Sequence, residues 1–187
     1  MNELWQLPGN RKDTQSITRD WQPSDQQRID GVFVRESRNV IKGNGLLTEM
    51  FRTDWLPPGQ TATIDQVFQV ALNPGGLSAW HAHGVSTDRL FAVSGQLLIV
   101  LYDARRDSPS HGRINEFRCG LARPMLIVVP PGIWHGVHNI GPEPAILINM
   151  VDQAYRYEDP DHWRVPADSP EIPYRFTAPR TLDALGA

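Results

Sequence analysis

From Ile29 onward, short apolar runs alternate with polar punctuation: "GVFV", "GLLTEMF", "ATIDQVFQVAL", "RLFAVSG", "QLLIVLYD", "MLIVVP" and "AILINMV". The runs are rich in Val, Ile, Leu and Phe and are broken by "NPGG", "SG", "PPG" and "IGPEP", the turn chemistry of strands joined by tight connections. No segment holds a helical apolar period long enough to build a layer. The pattern predicts an all-β chain, a jelly-roll barrel or sandwich. Residues 1–28 lack periodicity and read as a loose arm, on which Trp5 and Trp21 could dock. Residues 29–176 read as the barrel and residues 177–187 as a tail. After Pro160, "DHWRVPADSPEIPYRF" carries too many prolines for a central strand, so it is expected to wrap irregularly over the barrel, across its mouth.

Composition narrows the picture without redirecting it. The 187 residues, 40% apolar and 21% charged, suit one domain with a sizeable core. A formal charge of −3, with no block of like charges, gives no electrostatic case for nucleic acid or an anionic membrane, so a small molecule is the expected partner. Cys119, the one cysteine, excludes an internal disulfide and reads as a buried small hydrophobe. The opening "MNELWQLPGNRKDTQ" is too polar for a signal-peptide core, and no apolar run approaches membrane-spanning length. A cytoplasmic protein is the expectation.

The chemistry concentrates in "WHAHGVSTDRLF", residues 80–91. On a strand, His81 and His83 share one face and Ala82 takes the other. Asp88 then opens the next strand after the "GVST" turn, and the "PPG" turn at Pro130–Gly132 leads at once to Trp134 and His135. Three histidines and a carboxylate form a donor set for a divalent Zn, Fe, Mn or Ni ion. No feature calls for an organic cofactor. Arg89 is expected to face away from Asp88 and to pair at the surface or a subunit interface, Trp80 and Trp134 to pack, His138 to lie outside the barrel, and His111 and His162 to sit in polar turns.

The spacing of these residues resembles the two motifs of the cupins: Gly75, His81, His83, Asp88 and Gly95, then Pro130, Gly132, His135 and Asn139. Asp88 stands where that family usually has Glu, and Met125 where the second motif usually opens with glycine. The centre resembles a narrower branch, the sugar-nucleotide 3,5-epimerases of the dTDP-4-dehydrorhamnose type, through Gly95, Asp103, Arg105, Ser108, Pro109, Gly112 and Gly132 to Gly136. The resemblance implies a homodimeric enzyme in which a histidine, oriented by a late aspartate, removes the proton beside a C4 ketone. A lysine steadies the enolate and a tyrosine returns a proton. On this chain His81 falls on the base and Asp168 on its orienting carboxylate; Glu49 and Gln66 fall on retained substrate-binding positions, and Asn149 is the third expected substrate-binding residue.

The departures matter as much as the matches. Asp88 occupies the family's lysine position, Asn149 its tyrosine position, and Asn44 and Ser78 the places of two arginines that grip the nucleotide diphosphate. An enolate needs positive charge beside its oxygen, and a metal ion can supply it where an ammonium is missing. The sequence therefore points to a metal-assisted epimerase or isomerase acting on a keto-sugar, free or nucleotide-linked. Two alternatives stand beside it: a metal-dependent cupin of another class, such as a dioxygenase, lyase or isomerase of a small acid, and a non-catalytic sugar-binding cupin.

Overall fold

The structure, a computed structural model, describes residues 5–19 and 27–177; Trp21 and the tail from residue 178 lie outside them. Numbered along the chain, one antiparallel sheet runs β1 (Phe33–Glu36), β9 (Met125–Val129), β6 (Asp88–Ser94), β11 (Ala145–Val151), β4 (Gln66–Leu72). The second runs β12 (Trp163–Arg164), β5 (Leu77–Ala82), β10 (Ile133–Asn139), β7 (Gln96–Asp103), β8 (Ile114–Gly120). A separate hairpin pairs β2 (Asn39–Lys42) with β3 (Gly45–Thr48). The all-β prediction holds, and among the described residues the helical structure is one 3-10 turn, Thr53–Trp55.

The apolar runs are continuous rather than alternating because both faces of the central strands are covered. In β7, Leu97, Ile99 and Leu101 point between the sheets into the main core with Ile127, Ile133 and Leu147. The intervening Leu98, Val100 and Tyr102 point outward, where the C-terminal segment lays Ile172, Tyr174 and Phe176 over them and over Trp80. The first sheet is covered in the same way: Phe91, Leu126 and Val128 lie beneath Phe51, Trp55, Leu56 and Ile64. Each such aliphatic side chain contributes roughly 1.5–3 kcal/mol when fully buried. The expected C-terminal wrap is therefore half of a second apolar layer, anchored where β12 pairs with β5.

Most single-residue expectations survive. Trp80 is fully buried, Trp134 packs beside it on the outer layer, and His138 lies outside the barrel, covered by Phe176 at a ring distance of 6.0 Å. Cys119 is a core residue whose thiol burial pushes up to about 12. Arg89 is a correction. It does face away from Asp88, yet it is fully buried rather than at the surface, donating to the carbonyls of Met150 (3.4 Å) and Thr61 (2.5 Å) above the Phe51 ring. The segment that brings Phe51 over the sheet also roofs Arg89.

Candidate active site

A cavity of about 840 Å³ opens inside the barrel, lined by the inward residues of β4, β5, β6, β10 and β11 and roofed by residues 153–164. Alternation sets who enters it. On β10, Ile133, His135 and Val137 point inward, so His135 is the polar member of a core-facing row. On β6, Asp88 points in because Arg89 points out. On β5 the pairing with β10 slips: His135 opposes His81 and Val137 opposes Ser78, so β5 carries one extra residue there. The slip turns both Ser78 and His81 inward.

His83, Asp88 and His135 come together. Their ligand atoms all lie within 4.8 Å of one another, and Asp88 Oδ2 is 3.2 Å from Nε2 of each histidine. Asp88 is 1% exposed. Its Oδ1 accepts from Asn149 Nδ2 at 2.9 Å, and its Oδ2 faces the two imidazoles as an ion-pair partner. A buried carboxylate oxygen set equally close to two imidazole nitrogens is suited to a shared cation. His83, Asp88 and His135 thus supply two imidazoles and one carboxylate, a donor set that fits a divalent ion.

The electrostatics separate the histidines. Burial lowers His83, but Asp88, with Asp161, more than reverses this and raises it to about 9. Asp88 is held low by His83, His135 and Asn149 against the opposing effect of burial. His81 goes the other way: burial first, then His135, Arg164 and His162, lower it to about 3, so its imidazole is neutral at physiological pH. Burial likewise lowers His135 and His162.

His81 is not part of the three-donor group, which corrects the four-ligand set read from the spacing. Its Nε2 lies 2.9 Å from Ser78 Oγ and its Nδ1 3.0 Å from His162 Nε2. In the tautomer that donates Nδ1–H to His162, the Nε2 lone pair accepts the Ser78 hydroxyl and faces the cavity. Asp168 is also a correction. It lies on an exposed turn away from the cavity, because Pro166 and Pro170 carry the chain onto the outer layer. The group that meets His81 is instead His162, expected in a polar turn; the two-residue strand that follows it is too short to leave a sequence pattern. The strap is fixed by Asp161, whose carboxylate accepts from the backbone N–H groups of Gly84, Val85 and Ser86 at 2.6–3.0 Å and whose carbonyl meets His83 Nδ1 at 2.5 Å.

The remaining expected residues divide. Gln66 lines the cavity and its Oε1 accepts from the Tyr155 N–H at 2.9 Å. Asn149 lines it too, but both ends of its amide are committed, Oδ1 accepting from the Arg89 N–H at 3.1 Å and Nδ2 serving Asp88. Glu49 does not reach the cavity. It follows the β2–β3 hairpin, exposed, and accepts from Arg52. The hairpin lies outside both sheets, which carries Glu49 away from the barrel interior.

Residues 68–151 match the cupin domain model. The chain is 35% identical over 141 residues to a Haloferax volcanii protein named "Probable low-salt glycan biosynthesis epimerase Agl13", a match covering 75% of this chain and 89% of that protein. It is 30% identical over 148 residues to the spore coat polysaccharide biosynthesis protein SpsL of Bacillus subtilis, covering 79% and 96%. Among solved structures, a dTDP sugar isomerase from Desulfovibrio desulfuricans superposes with a TM-score of 0.71 at 28% identity, over 78% of this chain and 90% of that one. Fold, motifs and these matches converge: the chain belongs to the cupin-fold sugar epimerases related to dTDP-4-dehydrorhamnose 3,5-epimerase, and is an enzyme of the epimerase/isomerase kind.

Proposed function

We propose that this enzyme moves a proton beside the carbonyl of a nucleotide-linked keto-sugar, with His81 as the base. The observation that carries this is the setting of His81: an imidazole on the cavity wall, held at both nitrogens by Ser78 and His162. Substrate entering the cavity displaces the Ser78 hydroxyl and meets the Nε2 lone pair, while His162 keeps the ring from turning. The carbonyl oxygen would lie toward His83, Asp88 and His135, where the family's lysine is replaced. We infer that this group holds a divalent cation, supported by the convergence of the three ligand atoms within 4.8 Å of one another. Such a cation supplies Lewis-acid charge for an enolate oxygen. Asn149 keeps Asp88 aimed at that position and Gln66 offers its amide to the sugar. A second reading dispenses with metal: His83, raised to about 9, carries a positive charge of its own at neutral pH.

The proposal includes a homodimer in the cytoplasm. Its support is the outlying hairpin, where Ile41, Leu46 and Leu47 are exposed, together with the exposed Val67 and Phe68 of the edge strand β4. The described residues include no helix long and apolar enough to cross a membrane.

The test is solvent deuterium exchange into a panel of nucleotide-linked 4-keto-sugars. Exchange that falls about 10²–10⁴-fold in His81→Asn is the expected result. Wild-type enzyme that exchanges no proton in any of them, with metal supplied, overturns the base assignment. Metal analysis after chelation and reloading separates the two sources of charge: exchange that persists at full rate in metal-free enzyme selects the His83 reading.

A further inference from the structure

The roof of the cavity carries two arginines that the reaction above does not use. Arg156 and Arg164 both line the cavity and are both exposed. Among the described residues, neither guanidinium makes a hydrogen bond or an ion pair. Arg164 sits directly opposite His81 in the β12–β5 pair, so the two side chains share the cavity face.

The other charges in the lining are already engaged. Asp88 faces two histidines, and Asp161 accepts three backbone N–H groups. Among the described residues, Asp159, exposed on the rim, is the lining carboxylate without such partners. Two open guanidiniums at the mouth of a cavity select for an anion, and their planar forks suit phosphate oxygens. Beside them on the same strap, Tyr155 and Trp163 line the cavity at 48% and 63% exposed, offering flat apolar surface to a base or sugar.

We propose that Arg156 and Arg164 clamp the diphosphate of a nucleoside-diphosphate sugar, so that the phosphate grip sits on the C-terminal strap instead of on the barrel strands. This rests on the reading of the substrate as nucleotide-linked. It also accounts for Ser78: a strand position released from phosphate binding is free to hold His81 Nε2. The strap then does two things at once, presenting phosphate ligands and His162 to the same cavity.

Calorimetric titration of the full-length enzyme with dTDP and with inorganic pyrophosphate tests the clamp. Binding of both is expected, weakening about 10- to 100-fold in each of Arg156→Gln and Arg164→Gln and falling with added salt. Asp159→Asn is expected to tighten it by removing a like charge. Arg164→Lys, which keeps the charge without the fork, is expected to fall between wild type and Arg164→Gln. Should Arg164→Gln melt early, Arg156→Gln, outside any strand, carries the test. Wild type that binds neither probe, or a double variant that binds dTDP within about twofold of wild type, overturns the clamp. Deuterium exchange keeps the two readings apart: if protons exchange but the arginine variants leave KM unchanged, the clamp fails and the epimerase reading stands. If dTDP binding needs the arginines and no keto-sugar exchanges, the clamp stands and the base assignment fails.

Discussion

Two aspartates in this barrel are buried to the same depth and do opposite things. Asp103, 0% exposed at the end of β7, has every lone pair answered: Oδ1 accepts from the Arg105 N–H and Nε at 3.0 and 2.9 Å, and Oδ2 from Arg105 Nη2 and the hydroxyls of Ser108 and Ser110 at 2.6–3.0 Å. Asp88, 1% exposed at the start of β6, sets its Oδ2 3.2 Å from Nε2 of both His83 and His135. The first is a latch that closes a turn, and Ser110 extends it by accepting the Asp30 N–H at 2.8 Å, pinning the entry to the barrel. The second faces two titratable imidazoles on a cavity wall. Burial alone does not separate the two carboxylates; the chemistry of their partners does.

Removing each carboxylate should break them apart. Asp103→Ala strands Arg105, which cannot lose its charge, and two hydroxyls; a cost of about 3–5 kcal/mol is expected. That corresponds to a melting temperature lower by roughly 10 °C, with turnover per folded molecule unchanged. Asp88→Asn leaves behind imidazoles that can shed a proton, so its stability change is expected to stay within about 1 kcal/mol. Its exchange activity should nonetheless fall about 100-fold, with bound metal lost. Matching melting curves for the two variants would erase the contrast.

Acid sharpens the comparison at lower amplitude. Burial opposes ionisation of Asp103, but Arg105, Ser108 and Ser110 hold its carboxyl well below the ordinary value of 3.8. A depressed folded value contributes stability that is present above 3.8 and is lost as the pH falls below it. Denaturant titrations are expected to show that loss below about pH 4 in the wild type and a flatter profile in Asp103→Asn. The smallest effect expected is at Asn149→Ala, which removes one amide from Asp88 Oδ1 and the acceptor of the Arg89 N–H. About 1 kcal/mol of stability and a several-fold loss of exchange at unchanged dTDP affinity should result. A loss confined to dTDP affinity would instead place Asn149 among the substrate contacts.

The sequence carried Asp103 in full and Asp88 in part, for a reason of distance along the chain. All side-chain partners of Asp103 lie within seven residues, in "DARRDSPS", so the motif contains its own geometry. Asp88 depends on β5, β10 and β11, whose spacing named the donors but not their aim. The same limit explains His81. Period-two alternation put it in the cavity with His83, and the extra residue on β5 then turned it out of the donor group toward Ser78. The carboxylate expected behind it failed because two prolines steer Asp168 away, and His162 arrives through a two-residue strand too short to leave a pattern.

Alternation, turn residues and composition by themselves determined an all-β barrel with one polar centre, because strand periodicity and glycine-rich turns are local properties written residue by residue. The spacing of His81, His83, Asp88 and His135 also determined which side chains share that centre. Only the tertiary structure decided which of them meet at one point, which is held apart against Ser78 and His162, and that the strap from Asp161 to Arg164 completes the site. Those outcomes turn on a register slip and on a segment folding back across some 80 residues of chain, where no local rule fixes the contact and packing chooses it.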